Sequence, residues 1–265
     1  MANGIEAMYR DEFDVVLVRD AFDAAILSDA GARLDADGQN PGWARPNEAM
    51  PVEDVQILGT DTPATPTYRA PRGTTLDAYL SSAEKHRQDS AVFAPGFDAT
   101  AEVRKTLSAF SGGRPVDVAQ SSDGRSWVPF TIRRMADGKQ IGIHHDYHYK
   151  LDVYSELSKQ ADTTTLISYV ATLRAPEQGG ELFVYGATSD MPDVPKLANG
   201  FSYDLPAIEA RYDAVRLVPR EGDLFLLAAG RCLHRVARVS GPRARITMGG
   251  FLALTADRSR VVFWS

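Results

Sequence analysis

The 265-residue sequence predicts a mainly β fold, a barrel core with flanking helices. Two observations carry that expectation. From residue 115 onward, short runs rich in Val, Ile, Thr and Phe recur between turn signals, the pattern of a barrel or sandwich. Before residue 115, helical periodicity dominates and extended runs are brief. The length suits one such domain, since all-β barrels of this size are routinely undivided. The expected organisation is a single domain over 1–265. Residues 1–114 supply a helical buttress, edge strands and a loop of lid-like length, and 115–265 supply the barrel core.

In order, FDVVLV (13–18) reads as a strand, and AFDAAILSDAGARLDA (21–36) as a helix by its Ala, Ile and Leu spacing. A loop rich in Pro, Gly and Asp follows over 37–73, long enough to cover a site and equally readable as a surface excursion. Thr74 or Thr75 is placed to cap a helix through TTLDAYLSSAEKHRQ, and Asp98 to cap DATAEVRKTLSAF. The strand series then runs WVPFTIRRM, QIGIHHD, TTTLISYVATL, ELFVYG, AVRLVP, LFLLAAG, CLHRVARV, ARITMGGFLAL and RVVFWS. One helix, around LDVYSELSKQ, interrupts it. The N-terminal helices are expected on the outside of one sheet.

Composition removes several classes of function. A formal net charge of −6 without a long basic run gives no footprint for nucleic acid or anionic membrane. No apolar stretch approaches the roughly 20 residues of a membrane span, and the first residues lack the pattern of a secretory signal. The single cysteine, Cys232, excludes an internal disulfide framework and suits a cytoplasmic setting, where it reads as a small buried apolar residue.

Five histidines occur, and three crowd into HHDYH at 144–148, immediately after the strand QIGI. His144 and Asp146 are two apart, so in an extended chain both side chains point to one face. A second strand, CLHRVARV, brings in His234, 90 residues downstream. Two imidazoles and a carboxylate on one face of a metal leave three positions open, the facial arrangement of non-haem iron(II) oxygenases. Eleven residues beyond His234 comes Arg245, with Thr247 on the same strand face. A guanidinium fork beside a hydroxyl suits the far carboxylate of a dicarboxylic ketoacid.

The run GDLFLLAAGRCLHRV…GPRARITMGGF resembles the C-terminal half of the iron(II)/2-oxoglutarate oxygenase superfamily, and the resemblance covers roughly residues 127–265. It implies a double-stranded β-helix (jelly-roll, cupin-like) core. The implied cofactors are Fe(II), O2 and 2-oxoglutarate as co-substrate, with His144, Asp146 and His234 as metal ligands and Arg245 and Thr247 holding 2-oxoglutarate. The ending GGFLALTADRSRVVFWS, with APEQGGELFVYG upstream, is similar to a bacterial clade acting on amino acids and other small metabolites. That clade includes hydroxylases and halogenases, several from natural-product biosynthesis. In the halogenases the carboxylate position is Gly or Ala and leaves room for chloride; here it is Asp146, which implies hydroxylation with release of succinate and carbon dioxide. Cyclisation or desaturation would use the same ligands.

The substrate-side candidates are His148 and Tyr149 just past the triad, Arg72 in the long loop, Arg133 in the strand before the triad, and Trp264 on the last strand. Each has a plainer reading: a polar loop face for His148 and Tyr149, a solvated arginine for Arg72 (as for Arg69 beside it), and packing for Trp264. One of Arg133 and Arg134 is expected to face the barrel interior. His145 should point away from its neighbours as a structural or surface residue, and His86 reads as surface. The expected partner is a small molecule, possibly a free amino acid or derivative. A non-catalytic cupin-like barrel would keep the strands but has no reason to place Arg245 and Thr247 beside the triad. A structural zinc site is disfavoured because such sites are usually closed by four Cys or His ligands. An oxygenase acting on protein or nucleic acid would call for a basic groove or an added recognition domain, and the sequence shows neither.

Overall fold

A computed structural model describes residues 3–36, 55–58, 75–88, 92–146, 152–200 and 202–265. The elements run α1 (Gly4–Tyr9), β1 (Val15–Val18), α2 (Ala24–Ala36), β2 (Val55–Leu58), α3 (Leu76–Gln88), α4 (Ala99–Ser108), β3 (Val116–Val118), β4 (Thr131–Met135) and β5 (Ile141–His144). They continue α5 (Asp152–Leu157), β6 (Ile167–Arg174), β7 (Leu182–Thr188), α6 (Leu205–Arg211), β8 (Ala214–Leu217), β9 (Leu224–Leu227), β10 (Cys232–Val236), β11 (Arg245–Leu254) and β12 (Val261–Trp264). The helix starts follow local chemistry. Asp23 accepts from the N–H groups of Ala25 and Ile26, Thr75 from Ala78, and Asp98 from Ala101, so each side-chain oxygen satisfies an amide that the first turn leaves open.

The strands form two sheets. The larger has eight strands, with a path β1-β9-β6-β11-β12-β3 and with β4 joining β11 to β2. The smaller is β5-β10-β7-β8. A shared apolar cluster joins them, drawing Leu182, Val184 and Val236 from the small sheet and Val170, Met248 and Leu252 from the large one. The core is thus the double-stranded β-helix that the resemblance implied. β2 corrects the expectation of an unbroken loop over 37–73: Val55–Leu58 pairs with β4. Its apolar content spans only four residues, too short a run to stand out among the surrounding Pro and Gly. The rest of that loop lies outside the described residues, as do Arg69 and Arg72.

On the outer face of the large sheet, α2 buries Leu27, Ala30, Gly31 and Leu34. Gly31 permits the close approach, since a Cβ there would lie 2.8 Å from the Arg174 Cβ on β6. One turn on, Asp35 bonds Arg134 of β4 at 2.8 Å, contacts Arg174 of β6 at 3.4 Å, and accepts from the Ala244 N–H just before β11 at 3.3 Å. One carboxylate therefore ties three neighbouring strands together and draws Arg134 to the outside.

Candidate metal centre

His144 and His234 are direct cross-strand partners in the β5–β10 ladder. Opposite residues of an antiparallel pair carry their side chains on the same face, and the two ring centroids lie 4.3 Å apart. Each ring is oriented by its own strand. His144 Nδ1 lies 2.8 Å from the Gly142 carbonyl oxygen and His234 Nδ1 lies 2.9 Å from the Cys232 carbonyl oxygen. With Nδ1 so engaged, Nε2 is the nitrogen that both rings turn toward Asp146 and a shared metal position.

Asp146 meets them from the segment after β5. Its Oδ1 is 3.5 Å from His144 Nε2 and its Oδ2 is 4.0 Å from His234 Nε2. The three groups offer ligand atoms all within 4.8 Å of one another, close enough to share one metal ion. Two further bonds hold the aspartate in place: its N–H donates to the Ala229 carbonyl at 2.7 Å, and the Ser168 hydroxyl donates to Oδ2 at 2.9 Å. The side chains of His144 and Asp146 are 29% and 23% exposed against 7% for His234, so the centre opens to solvent on the His144–Asp146 side.

The electrostatics favour ligand-ready forms. Burial acts to raise the Asp146 pKa, but the His144 contact and the charges of His234, His144 and Arg133 outweigh it and hold the carboxyl well below its usual range. Burial, aided by the charge of His144, pushes His234 down to about 4, against the weaker opposing pull of Asp146. At neutral pH the centre therefore presents an ionised carboxylate and a neutral His234, the protonation states that metal binding requires.

The large sheet supplies the facing wall. On β11, Arg245, Thr247 and Gly249 lie opposite Met135, Arg133 and Thr131 of β4. On the other side of β11, Thr247 pairs with Thr172 and Gly249 with Val170. This face carries Ser168, whose hydroxyl reaches Asp146, so it is the face turned to the metal centre. Arg133 therefore points inward and Arg134, held by Asp35, outward. Arg245 is 5% exposed, and among the described residues its guanidinium bonds only the Met135 sulfur, at 3.8 Å, with no carboxylate beside it. Burial and the charge of Arg133 pull its pKa down to about 10, which leaves it a cation at neutral pH.

The other sequence candidates separate clearly. Trp264 is fully buried among Tyr79, Trp127 and Phe251, so it packs and presents no surface to a substrate. His148 and Tyr149 lie outside the described residues. His145 turns to the outer side of the small sheet, where its Nδ1 lies 2.9 Å from the Tyr203 hydroxyl. His86 lies on α3. Ser168 and Thr172 were not singled out from the sequence. The available signal was a polar residue at every second or fourth position of the otherwise apolar strand ISYVATLR.

The family model for the carrier-protein-independent halogenase WelO5 matches residues 1–265. No curated protein matches the chain. Similar solved structures include an N-substituted L-amino acid dioxygenase from Burkholderia ambifaria in complex with alpha-KG, at 17% identity and a TM-score of 0.50, covering 98% of this chain and 90% of that one. They also include a prolyl-4-hydroxylase from Pseudomonas putida, at 14% identity and a TM-score of 0.45, covering 94% and 95%. A third is the epimerase SnoN from nogalamycin biosynthesis, at 16% identity and a TM-score of 0.49, covering 94% and 84%. The chain belongs to the carrier-protein-independent halogenase WelO5 family, within the iron(II)/2-oxoglutarate oxygenase superfamily.

Proposed function

We propose that residues 1–265 form one oxygenase domain, a cytoplasmic iron(II)/2-oxoglutarate dioxygenase that hydroxylates an unactivated C–H bond of a small, amino-acid-like metabolite. One observation carries this reading. The carboxylate of Asp146 stands between His144 and His234, so the position that a halide would need is filled by a protein ligand. In this respect the chain departs from the halogenases of its own family, and oxygen transfer is the outcome its donor set supports.

The donor set fits iron(II): two imidazoles oriented through Nδ1, one ionised carboxylate, and positions left for a bidentate ketoacid and dioxygen. Bound there with 2-oxoglutarate and dioxygen, iron supplies the oxidising power to take hydrogen from a C–H bond, with succinate and carbon dioxide as co-products. His144 and His234 would hold it through Nε2, and Asp146 would hold it through its carboxylate. Arg245 and Thr247 hold the far carboxylate of 2-oxoglutarate, which would neutralise a buried guanidinium that has no acidic neighbour among the described residues. Arg133, on the same inward face, is the group proposed to attract a substrate carboxylate. The protein's part in the reaction is positioning, because the C–H bond set nearest the metal decides the product.

The test begins with anaerobic titration of iron(II)-loaded protein with 2-oxoglutarate. The expected result is the weak visible charge-transfer band of a chelated ketoacid, lost in His234→Ala. Iron-loaded protein with no band would overturn the reading. Turnover with chloride and a panel of free and N-substituted amino acids should then give hydroxylated products and succinate, and a chlorinated product from the unmodified chain would overturn the assignment to hydroxylation.

A further inference from the structure

The metal ligands sit where the small sheet is least regular. β5 is an edge strand of that sheet, and its last residue is His144. The β5–β10 register shifts between His234 and Val236, and the β10–β7 register shifts between Cys232 and His234. Asp146 lies beyond the end of β5 altogether. A regular ladder fixes which way each side chain points, so at these positions the backbone alone gives a looser hold.

The chain neighbours of the ligands supply a second one. The alternation that turns the ligands inward turns Ile143, His145, Leu233 and Arg235 outward. All four meet one layer on the outer face of the small sheet, built around α6 and the segment leading into it. Leu233 is buried in a cluster with Ile208 of α6, and Ile143 packs against that cluster. The His145 Nδ1 lies 2.9 Å from the Tyr203 hydroxyl, with the two rings edge-on and their centroids 5.9 Å apart. The Arg235 guanidinium lies over the Phe183 ring at 4.1 Å. It donates from Nε to the Tyr185 hydroxyl at 2.6 Å and from Nη2 to Glu209 of α6 at 3.0 Å. The Tyr185 hydroxyl donates in turn to the same Glu209 oxygen, at 2.9 Å.

The layer is itself braced. The Asp204 side chain caps α6 by accepting from the Ala207 N–H at 3.2 Å, and the Asp204 N–H donates to the Pro195 carbonyl at 3.1 Å. At the other end of α6, Arg211 donates to the Asp193 carbonyl at 2.8 Å. Tyr203 and Glu209 are therefore presented from a fixed support.

We propose that α6 and the segment before it form a positioning layer for the metal centre, in which Tyr203 acts through His145 and Glu209 acts through Arg235. Both residues work from the outer face. Each pins the side chain beside a ligand and so limits the backbone twist that would swing that ligand out of line. This rests on the metal assignment made above and adds to it a part of the chain that carries none of the H-x-D…H pattern.

The experiment compares the unmodified chain with Tyr203→Phe, Glu209→Ala, His145→Leu and the double variant Tyr203→Phe/His145→Leu, each prepared metal-free. Co(II) is titrated in, and both its dissociation constant and the d–d absorption of the bound ion are read. Tyr203→Phe keeps the ring and loses the hydroxyl. Its dissociation constant should rise about tenfold, the lower end of the cost of losing a group that orients a ligand. Glu209→Ala should raise it about threefold, a smaller loss because Arg235 keeps its contacts with Tyr185 and Phe183. In both variants the d–d bands should change, since the ligand geometry relaxes. The double variant should lose no more than His145→Leu alone, because both substitutions break one bond. Unaltered affinity and bands in either Tyr203→Phe or Glu209→Ala overturn the proposal, even where the melting temperature falls, since that pattern belongs to packing alone. Additive losses in the double variant overturn it too, because the two rings would then act independently of their bond. An unmodified chain that binds no Co(II) is a separate result that removes the metal assignment itself.

Discussion

Asp146 is held from three directions: by the Ala229 carbonyl at its N–H, by the Ser168 hydroxyl at Oδ2, and by the two imidazoles that flank its oxygens. The Ser168 bond limits rotation of the carboxylate. Ser168→Ala should therefore weaken Co(II) binding by roughly tenfold, the usual scale for losing a group that orients a ligand, and a metal titration checks this. Unaltered affinity would leave Ser168 without a role at the centre. Asp146→Ala should abolish hydroxylation, and product analysis of that variant with chloride present shows whether an emptied position accepts a halide. Arg245→Ala should raise the apparent KM for 2-oxoglutarate by about a hundredfold, since it removes a charge-assisted pair; an unchanged value would place the anchor elsewhere.

His234 also carries a pH prediction. In the unfolded chain an imidazole takes its proton near pH 6.5, whereas in the folded, metal-free protein burial delays this to about 4. Between those values the unfolded state binds more protons, so stability falls as pH drops from 6.5 toward 4. Thermal melting of the metal-free protein should show this decline, with a flatter profile in His234→Gln. An unflattened profile would mean that the acid sensitivity arises at other groups.

At the scale of elements, β11 organises both the core and the site. All ten of its residues are buried, and it pairs with β6, β4 and β12. Its two glycines, Gly249 and Gly250, face backbone so closely that a Cβ would strike the carbonyl oxygens of Tyr169 and Trp264. Its first turn inward presents Arg245. The register of that segment is braced from outside by Asp35 of α2, through Arg134 and Arg174. Asp35→Ala should lower stability by about 2 kcal/mol, because it removes the carboxylate shared by two partly buried guanidinium groups. A shift in the urea midpoint at constant slope is the expected result. A loss within a few tenths of a kcal/mol would show that the strands hold their register without the helix.

At the scale of the molecule, the two sheets contribute different halves of the chemistry. The small sheet presents His144 and His234, and the large sheet presents Ser168, Thr172, Arg133, Arg245 and Thr247. A metal held by the first and a ketoacid held by the second would link the sheets, so binding should raise the melting temperature. At a hundred times its dissociation constant a ligand adds about 2.7 kcal/mol. Mn(II) followed by 2-oxoglutarate should therefore raise the melting temperature in two steps, and both steps should vanish in His234→Ala. A ketoacid step that survives in that variant would show binding independent of the metal.

Local physics made legible the β-rich second half, a helix start at Thr74 or Thr75 and another at Asp98, and a donor set worth testing. Alternation places His144 and Asp146 on one side of a strand, side-chain oxygens cap the amides that follow them, and imidazole with carboxylate suits iron. Other features depended on which strands became neighbours. That His144 would stand directly across from His234, that Arg133 and not Arg134 would face inward, and that Ser168 would reach Asp146 are consequences of register between segments far apart in the chain. The same holds for Trp264, whose place on a terminal strand resembles a rim position until Tyr79, Trp127 and Phe251 close over it. Alternation along one strand sets which side chains share a face, but only the packing of two sheets decides which face becomes the inside.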